Sequence, residues 1–438
     1  MPLSQFDIEF DRQGRVFNTA QQDAIIAAVP HCSDIIVASH GWNNDMADAA
    51  DLYNRLFQKI QEVLDAGLAP SVAGRTFAAV RIFWPSKRFT DEELIPGGGA
   101  ASAAAGAANQ ASLLTLLERL KINPERLGDR SEDPIRVAAI ERAKALVPQL
   151  ETSDDARREF VLTLRTMLNP SEAHLEDASQ EFFSRDPLAV FDAMSSPVNA
   201  PLPAGAGGAA AVGAGAGGAA SLNDLLGGAV AAGRRLLNFT TYYEMKERAG
   251  VVGRIGGAPL VRRIRQAAPN ARVHLVGHSF GGRLVTAIAN ELDPNTPHVS
   301  MTLLQAAYSH NGLAAKFDGT HDGAFRGIMS QKRISGPILI THTKNDRAVG
   351  IAYPLASRMA FQNAAAFGDQ NDPYGGMGRN GAQHTAEAEG GELKSAGQSY
   401  AFSPGRIYNL RADSFIKDHS DIAGHEVAYA LLVGTGAA

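Results

Sequence analysis

Short, almost purely apolar segments alternate with longer segments of helical periodicity, and this alternation restricts the fold more than any other feature. The apolar segments are rich in β-branched residues. They are Asp34–His40, Phe77–Trp84, Arg272–His278, Val299–Ala307, Gly336–Thr343 and Arg406–Ile416. A strand that is apolar along its whole length is buried on both faces, as in a parallel sheet covered by helices. The alternation therefore predicts an α/β fold with a doubly wound, mostly parallel sheet.

Helical patterns lie between these apolar segments. The best defined is Met46–Gly67, in which apolar residues recur three and four positions apart before a terminal glycine. Ala258–Ala268 and Gly281–Leu292 flank the third apolar segment, and Ala423–Gly434 closes the pattern. Near the start, the apolar stretches on either side of Asp11–Gly14 predict a β-hairpin.

Two segments interrupt the alternation. The longer one contains two runs rich in glycine and alanine, Pro96–Ala108 and Pro201–Ala220, whose low complexity favours flexibility. The shorter one, Ala366–Gln398, is polar and glycine-rich and is interpreted as a connection before the last strand. The predicted parts are a first core segment over residues 1–85, a large inserted cap over 86–235 and a second core segment over 236–438.

Composition excludes several classes of function. Hydrophobic residues make up 45% of the chain and charged residues 20%, a balance typical of a soluble globular protein. The formal net charge of −5 argues against a nucleic-acid partner. The single cysteine, Cys32, excludes an intrachain disulfide, and the scattered histidines lack the spacing of a zinc site. No signal peptide or convincing transmembrane segment is evident, so we expect a cytoplasmic protein.

One motif carries the chemistry. Gly277-His278-Ser279-Phe280-Gly281 fits the pattern G-x-S-x-G, with a predicted strand before it and a predicted helix after it. In that context the motif presents a serine on a sharp turn at the start of a helix, where the helix dipole favours developing negative charge. The sequence therefore predicts that Ser279 is a nucleophile, the alternative being a purely structural turn.

With this motif and the "HGW" that follows an earlier strand, the chain resembles the α/β-hydrolase superfamily of serine hydrolases. The resemblance covers about Gln5–Pro85 and Arg235–Leu432 and implies the α/β-hydrolase fold. It also implies a catalytic acid and a histidine after later strands, in the chain order Ser, Asp, His. The superfamily is too diverse to imply one substrate.

Candidates for the acid and the base follow the last two predicted strands. Asp346 in "KNDRAV" stands at a strand end and looks like the acid turn of the family. His419 lies in polar residues between the last strand and the last helix, and we predict that it is the general base. His425, at the head of that helix, is the alternative base but is better explained as a surface or packing histidine.

The oxyanion hole requires two backbone N–H donors. The resemblance implies that Phe280, directly after the nucleophile, supplies one and that Trp42, in the loop after Asp34–His40, supplies the other. Gly41 in the same loop is expected to border the substrate. Tyr308 and His310 follow another strand and either line the pocket or pack the loop. A substrate-binding role for both is the prediction.

The predicted function is that of a serine hydrolase that cleaves a carboxylic ester or related acyl bond, without metal or cofactor. An acyltransferase, a thioesterase or an amidase would use the same triad. A catalytically inactive scaffold that binds a partner is the alternative from another class. We expect a small acyl ester or lipid as the substrate, and a cap that selects substrates and contacts lipid surfaces. The oligomeric state is left open.

Overall fold

The structure is a computed structural model that describes residues 3–41, 46–86, 103–122, 134–195, 228–346 and 372–438. The chain divides into two compact units. The first, here called the sheet unit, consists of Met1–Lys87, Met245–Val349 and Gly375–Ala438. The second, the helical unit, consists of Arg88–Glu244 and Gly350–Tyr374, and takes in nearly all of the predicted insertion.

A single parallel sheet organises the sheet unit. Among the described residues its eight strands are β1 Ser4–Glu9, β2 Asp34–Ser39, β3 Phe77–Phe83, β4 Arg272–His278, β5 Val299–Leu304, β6 Ile338–His342, β7 Ala388–Glu392 and β8 Ile407–Arg411. Their order is β1-β3-β2-β4-β5-β6-β8-β7, and every neighbouring pair is parallel. The predicted α/β class and parallel sheet are confirmed.

Helices fill the connections. They are α1 Thr19–Ala28, α2 Met46–Asp65, α3 Ala103–Ile122, α4 Pro134–Leu146, α5 Asp154–Thr166, α6 Ser179–Ser184, α7 Pro187–Ser195, α8 Ala229–Val251, α9 Ala258–Ala267, α10 Phe280–Asn290, α11 Gly327–Ser330, α12 Met377–Asn380 and α13 His425–Gly436. A π-helical turn, Val252–Gly257, joins α8 to α9. No helix in the described part of the chain combines the length and apolar character that a membrane span requires.

The apolar strands are buried on both faces, which explains why their sequences do not alternate. Every residue of β2 and β5 is buried. On one face, the apolar side of α2 and the buried residues of α13 pack against the sheet, and Leu56, Ile60 and Leu431 belong to that core. Burial of each such side chain contributes about 1.5 to 3 kcal/mol to the free energy of unfolding.

The helical unit has an aromatic core of its own. Phe160 of α5 and Phe191 of α7 are fully buried, with ring centroids 6.4 Å apart. Phe182 of α6 packs on Phe239 of α8 at 4.9 Å. The predicted flexible run Pro96–Ala108 lies partly outside the described residues, but its residues 103–108 form the start of α3, since alanine is the best helix former. Pro201–Ala220 lies wholly outside the described residues.

Two predicted elements differ from the structure. The predicted hairpin around Asp11–Gly14 is reduced to one antiparallel bridge between Phe10 and Val16, and β1 pairs in parallel with β3 instead. The predicted connection Ala366–Gln398 contains α12 and β7. β7 has the sequence AEGGE and is mostly exposed, so it lacks the apolar signal by which the other strands were recognised.

The strand order reverses in the middle of the sheet, where open α/β sheets form a crevice. β2 and β4 are neighbours, but the chain leaves β2 towards β3 and leaves β4 towards β5, on opposite sides. Open α/β sheets bind ligands at the carboxyl ends of strands where the order reverses in this way. In the β2–β4 register Ser39 lies opposite Gly277, so the segments after the two strands begin side by side.

A chain of buried polar side chains lies at the opposite, amino-terminal end of the same strands. His274 of β4 contacts the Asp34 carboxylate through Nε2 at 2.9 Å and the Ser300 hydroxyl through Nδ1 at 2.8 Å. Arg75 donates to Asp34 at 3.1 Å. The pKa of Asp34 is lowered because the hydrogen bonds and charges of His274 and Arg75 outweigh its burial. This chain joins β2, β4 and β5.

Candidate active site

Ser279 occupies a strained turn between β4 and α10. Its backbone φ is 55° and its ψ is −124°, a conformation that non-glycine residues seldom adopt. The turn is fixed by the Ser279 N–H, which donates to the Leu304 carbonyl at 3.0 Å, and by the Ser279 carbonyl, which accepts from Gly282 and Ala307. Such strain is expected where a serine must stand out from a strand-to-helix turn.

Close backbone approach explains the glycines on either side of Ser279. A Cβ atom on Gly277 would lie 2.6 Å from the Cα of Gly282, in the first turn of α10. A Cβ atom on Gly281 would lie 2.6 Å from the Ser39 carbonyl carbon, at the end of β2. Real Cβ atoms do not approach other atoms so closely, so the packing of α10 against β4 and β2 requires both glycines.

Asp346 and His419 form a buried hydrogen-bonded pair. The His419 Nδ1 lies 2.8 Å from the Asp346 Oδ2, and the Asp346 side chain is fully buried. Asp346 follows β6 and His419 follows β8, so both come from the carboxyl edge of the sheet, as Ser279 does. This arrangement leaves the other ring nitrogen, Nε2, to exchange a proton.

Four hydrogen bonds join the segment after β6, which carries Asp346, to the segment after β8, which carries His419. The Asp413 carboxylate accepts from the Thr343 hydroxyl at 2.8 Å and from the Lys344 N–H at 3.0 Å. The Asn345 amide nitrogen donates to the carbonyls of Asp413 and Ile416 at 3.0 and 2.8 Å. Because these bonds hold both backbones, they fix the separation of Asp346 and His419.

His278, the variable residue of the motif, links the Ser279 turn to His419. Its Nε2 lies 2.8 Å from the His419 backbone carbonyl, and the two ring centroids are 4.9 Å apart. Ser279 is the next residue, although no hydrogen bond joins its hydroxyl to the His419 ring within the described residues. Hydrogen bonds between catalytic residues are often long or poorly aligned before substrate binds. The missing bond between Ser279 and His419 is therefore compatible with a triad.

The predicted oxyanion donors are placed only in part. Phe280 is the first residue of α10, so its backbone N–H lies at the start of the helix beside Ser279. Its side chain is buried. Trp42 lies outside the described residues. Gly41, its neighbour, lies directly against Ser279, because a Cβ atom on Gly41 would be 2.6 Å from the Ser279 Cβ.

His40 holds the Gly41 backbone in place by hydrogen bonds. Its Nδ1 lies 2.9 Å from the Gly41 carbonyl, and its Nε2 accepts from the Trp84 N–H at 3.3 Å. Burial lowers the pKa of His40 to about 4, although the bond to Gly41 opposes this shift, so the ring is neutral and donates through Nδ1. Its ring stacks on Trp84 at 5.7 Å. A neutral His40 therefore holds the backbone that leads to the predicted oxyanion donor.

Replacement of Gly41 by alanine is expected to displace the loop or Ser279, because the added methyl group overlaps the Ser279 Cβ. Displacement of about 1 Å at a reacting centre lowers kcat on the order of 10²-fold. The measurement is kcat for an activated ester, together with the thermal midpoint. The control is Gly390→Ala on the exposed edge strand β7, where an added Cβ meets no atom. If Gly41→Ala keeps full kcat, the loop does not border the reacting atoms.

The structure accounts for the remaining predicted site residues as follows. Tyr308 is buried, packs on Phe325 at 5.5 Å and shares a hydrogen bond of 3.1 Å with Thr286 of α10. His310 is also buried and lies 3.2 Å from the Asn380 amide through Nδ1. These contacts are typical of loop packing, so a substrate-binding role for either residue stays a prediction.

His425, the alternative base, lies elsewhere. It begins α13, its side chain is 47% exposed, and its Nε2 lies 2.6 Å from a carboxylate oxygen of Glu62 of α2. This agrees with the interpretation of His425 as a surface histidine. Within the described residues no group of three or more His, Cys, Asp or Glu side chains is arranged to hold a metal ion.

Comparison of the chain with protein-family models, with curated proteins and with solved structures finds no match.

Proposed function

We propose that the protein is a serine hydrolase with an α/β-hydrolase fold that cleaves a carboxylic ester or a related acyl bond. The observation that carries the proposal is the strained Ser279 turn between β4 and α10, at the sheet edge that also holds the His419–Asp346 pair. Strain at a non-glycine residue persists where the surrounding structure enforces it, and it concentrates at functional sites.

The proposed reaction begins with attack of the Ser279 hydroxyl oxygen on the substrate carbonyl carbon. The His419 Nε2 accepts the hydroxyl proton, while Asp346 holds the ring in the tautomer with a proton on Nδ1. The carbonyl oxygen becomes an oxyanion, for which the N–H groups of Phe280 and Trp42 are the proposed donors. His419 then passes the proton to the leaving alcohol as the C–O bond breaks. A water molecule, deprotonated by His419, then attacks the acyl carbon, and His419 returns the proton to the Ser279 oxygen as its bond to the released acid breaks.

The order of the chain supports the same assignment. Ser279 follows β4, Asp346 follows β6 and His419 follows β8, and these strands lie in that order across one half of the sheet. This order along the chain, Ser then Asp then His, is that of the α/β-hydrolase superfamily. The reversal of strand order at β2 and β4 adds independent support, since the nucleophile stands where such sheets bind ligands.

The pH dependence of hydrolysis should report the protonation of His419. Burial alone would lower its pKa, but the charge of Asp346 and the hydrogen bond to it outweigh burial, so the pKa is raised above 6.5. A protonated His419 cannot accept a proton, so kcat/KM is expected to fall as the pH decreases through a midpoint above 6.5. Asp346→Asn removes the charge, so it should lower both the rate and the midpoint. A profile that is flat between about pH 5 and about pH 9 would contradict this role for His419.

The test of the proposal is hydrolysis of p-nitrophenyl esters from acetate to long acyl chains, with products and acyl acceptors identified. Release of free acid supports an esterase, whereas transfer to an added alcohol, or preference for thioester or amide substrates, supports one of the alternative activities. A folded protein that turns over none of these substrates and reacts with no fluorophosphonate at Ser279 would favour the inactive scaffold.

We further propose that the inserted residues 86–235 act as a cap that selects substrates and contacts lipid. The support comes from where the chain leaves the sheet unit. It does so after β3 and again after β6, at the carboxyl ends of both strands. These are the ends at which α/β proteins place the loops that bind ligands.

Excision of residues 97–218 with a short linker is expected to change KM and acyl-chain preference more than turnover of a short ester. The reason is that a cap contributes apolar surface for the acyl chain and not the reacting groups. The measurement is kcat/KM for a short and a long p-nitrophenyl ester, with and without lipid vesicles, and circular dichroism monitors folding. If the excised protein stays folded with an unchanged substrate profile, the cap proposal is wrong.

A further inference from the structure

His278 stands between the two halves of the candidate triad, and it is nearly completely buried. It is the last residue of β4, directly before Ser279, and is 5% exposed. Its ring reaches across to the loop after β8, where the Nε2 meets the His419 carbonyl oxygen at 2.8 Å. No sequence pattern indicates this contact, since the two residues are 141 positions apart.

The partner determines which ring nitrogen of His278 carries the proton. A carbonyl oxygen only accepts hydrogen bonds, so the Nε2 must be the donor. In a neutral imidazole the Nδ1 is then an unprotonated acceptor, and within the described residues this atom is buried and has no hydrogen-bond partner. It faces the Gly41 loop, because a Cβ atom on Gly41 would lie 3.1 Å from it.

The surroundings of His278 keep its ring neutral. Burial is the largest effect and lowers the pKa of His278 to about 3, with further lowering by the nearby rings of His419 and His40. The hydrogen bond to the His419 carbonyl opposes the shift without overcoming it. A neutral donor suits this position, since a second cation beside His419 would disfavour the protonated state that His419 must reach during the reaction.

The same residue, His419, is therefore held at two points. Its ring is held by Asp346 at 2.8 Å, and its backbone is held by His278 at 2.8 Å. The hydrogen bond to Asp346 sets the orientation of the His419 ring. It does not set the distance between the His419 loop and Ser279. The bond from His278 constrains that distance, because His278 and Ser279 share one peptide unit.

We propose that His278 is a positioning residue that aligns the general base His419 with Ser279 by donating its Nε2–H to the His419 carbonyl. This inference rests on the proposed hydrolase function. It explains why a buried position next to Ser279 holds a histidine whose Nδ1 has no hydrogen-bond partner among the described residues. An apolar side chain would avoid that buried polar atom but could not donate to the His419 carbonyl.

The test compares two substitutions of similar size. His278→Gln carries an amide N–H at nearly the reach of the imidazole Nε2, whereas His278→Met fills similar space without a donor. We expect His278→Met to lower kcat for an activated ester by between about 10-fold and about 100-fold, as for a reacting group misplaced by about 1 Å. KM should change less than kcat, because the lost bond orients the general base and is not itself a contact to the substrate. His278→Gln should recover most of the lost kcat, which a role in packing alone would not produce.

A spectroscopic measurement on the unaltered protein keeps the inference testable if His278→Met does not fold. Nitrogen chemical shifts of labelled histidine distinguish the two neutral tautomers, and His278 should be the Nε2–H tautomer without titrating across the active pH range. Finding the Nδ1–H tautomer or an imidazolium would overturn the inference, as would full kcat in a folded His278→Met protein. Failure of the proposed function is distinguishable, because the unaltered protein would then show neither ester turnover nor fluorophosphonate labelling at Ser279.

Discussion

Replacement of Ser279 by alanine is expected to abolish ester hydrolysis and fluorophosphonate labelling while the protein stays folded. Loss of a serine nucleophile lowers kcat by several orders of magnitude, on the order of 10⁶-fold where the triad acts as a unit. The substitution removes one oxygen atom and keeps a Cβ atom at the same strained φ of 55°, so the turn should persist. Mass spectrometry of the labelled protein locates the modified residue.

A glycine at the same position provides the matched control. Glycine adopts positive φ without strain, so Ser279→Gly should be as inactive as Ser279→Ala but more stable, by about 1 to 3 kcal/mol in the free energy of unfolding. Denaturant unfolding of the two variants measures the difference. Labelling that persists in Ser279→Ala would place the nucleophile elsewhere, and equal stability of the two variants would mean that the turn stores no strain.

Replacement of His419 by alanine should also abolish turnover, whereas replacement of His425 should leave most of it. The His419 ring lies 2.8 Å from the fully buried carboxylate of Asp346. His425, at the exposed start of α13, instead contacts Glu62 of α2. Loss of the general base lowers kcat by several orders of magnitude. Loss of an exposed surface contact changes stability little and should change kcat less than about twofold.

Both variants are measured with the same activated ester at a pH above the His419 midpoint. Labelling of Ser279 by a fluorophosphonate should slow greatly in His419→Ala, since the hydroxyl is no longer deprotonated, and should be unchanged in His425→Ala. If His425→Ala is the more damaging substitution in a folded protein, the base has been assigned to the wrong histidine.

The elements that the sequence predicts best are those whose signals are local. β4 coincides with its predicted segment, and α2 begins at the predicted Met46. Ser279 is recognisable because its motif, strand and helix are contiguous. Asp346 and His419 are predicted as the acid and the base because each lies in the polar segment that follows a strand. In every case a short stretch of chain contains the whole pattern.

What the sequence does not reveal depends on distant partners or on weak patterns. The bond between Asn345 and the Ile416 carbonyl joins residues 71 positions apart, and neither residue type signals the other. α1 was not predicted because its apolar residues do not form a regular face, and only Ile25 is buried. β7 is not predicted from the sequence either, because an exposed edge strand needs no apolar residues.

Residue types alone do not identify a triad either. Asp34, His274 and Ser300 form an acid–histidine–serine chain with contacts of 2.9 and 2.8 Å. Ser300, however, lies inside β5 in ordinary strand backbone, whereas Ser279 stands at a strained turn at the start of a helix. Backbone conformation and position in the sheet, which the chain pattern only implies, distinguish the proposed catalytic serine from the structural one.

The central position of β2 has a consequence for how the protein folds during synthesis. One edge of β2 pairs with β3, which follows it closely, but its other edge pairs with β4. Asp34 of β2 and His274 of β4, whose side chains share a hydrogen bond, are 240 positions apart. Closure of a longer loop costs little stability, since each doubling adds only about 0.6 kcal/mol, but it delays the contact. An apolar strand therefore presents an open edge to other nascent chains until β4 has left the ribosome, which is the interval when a chaperone would be needed most.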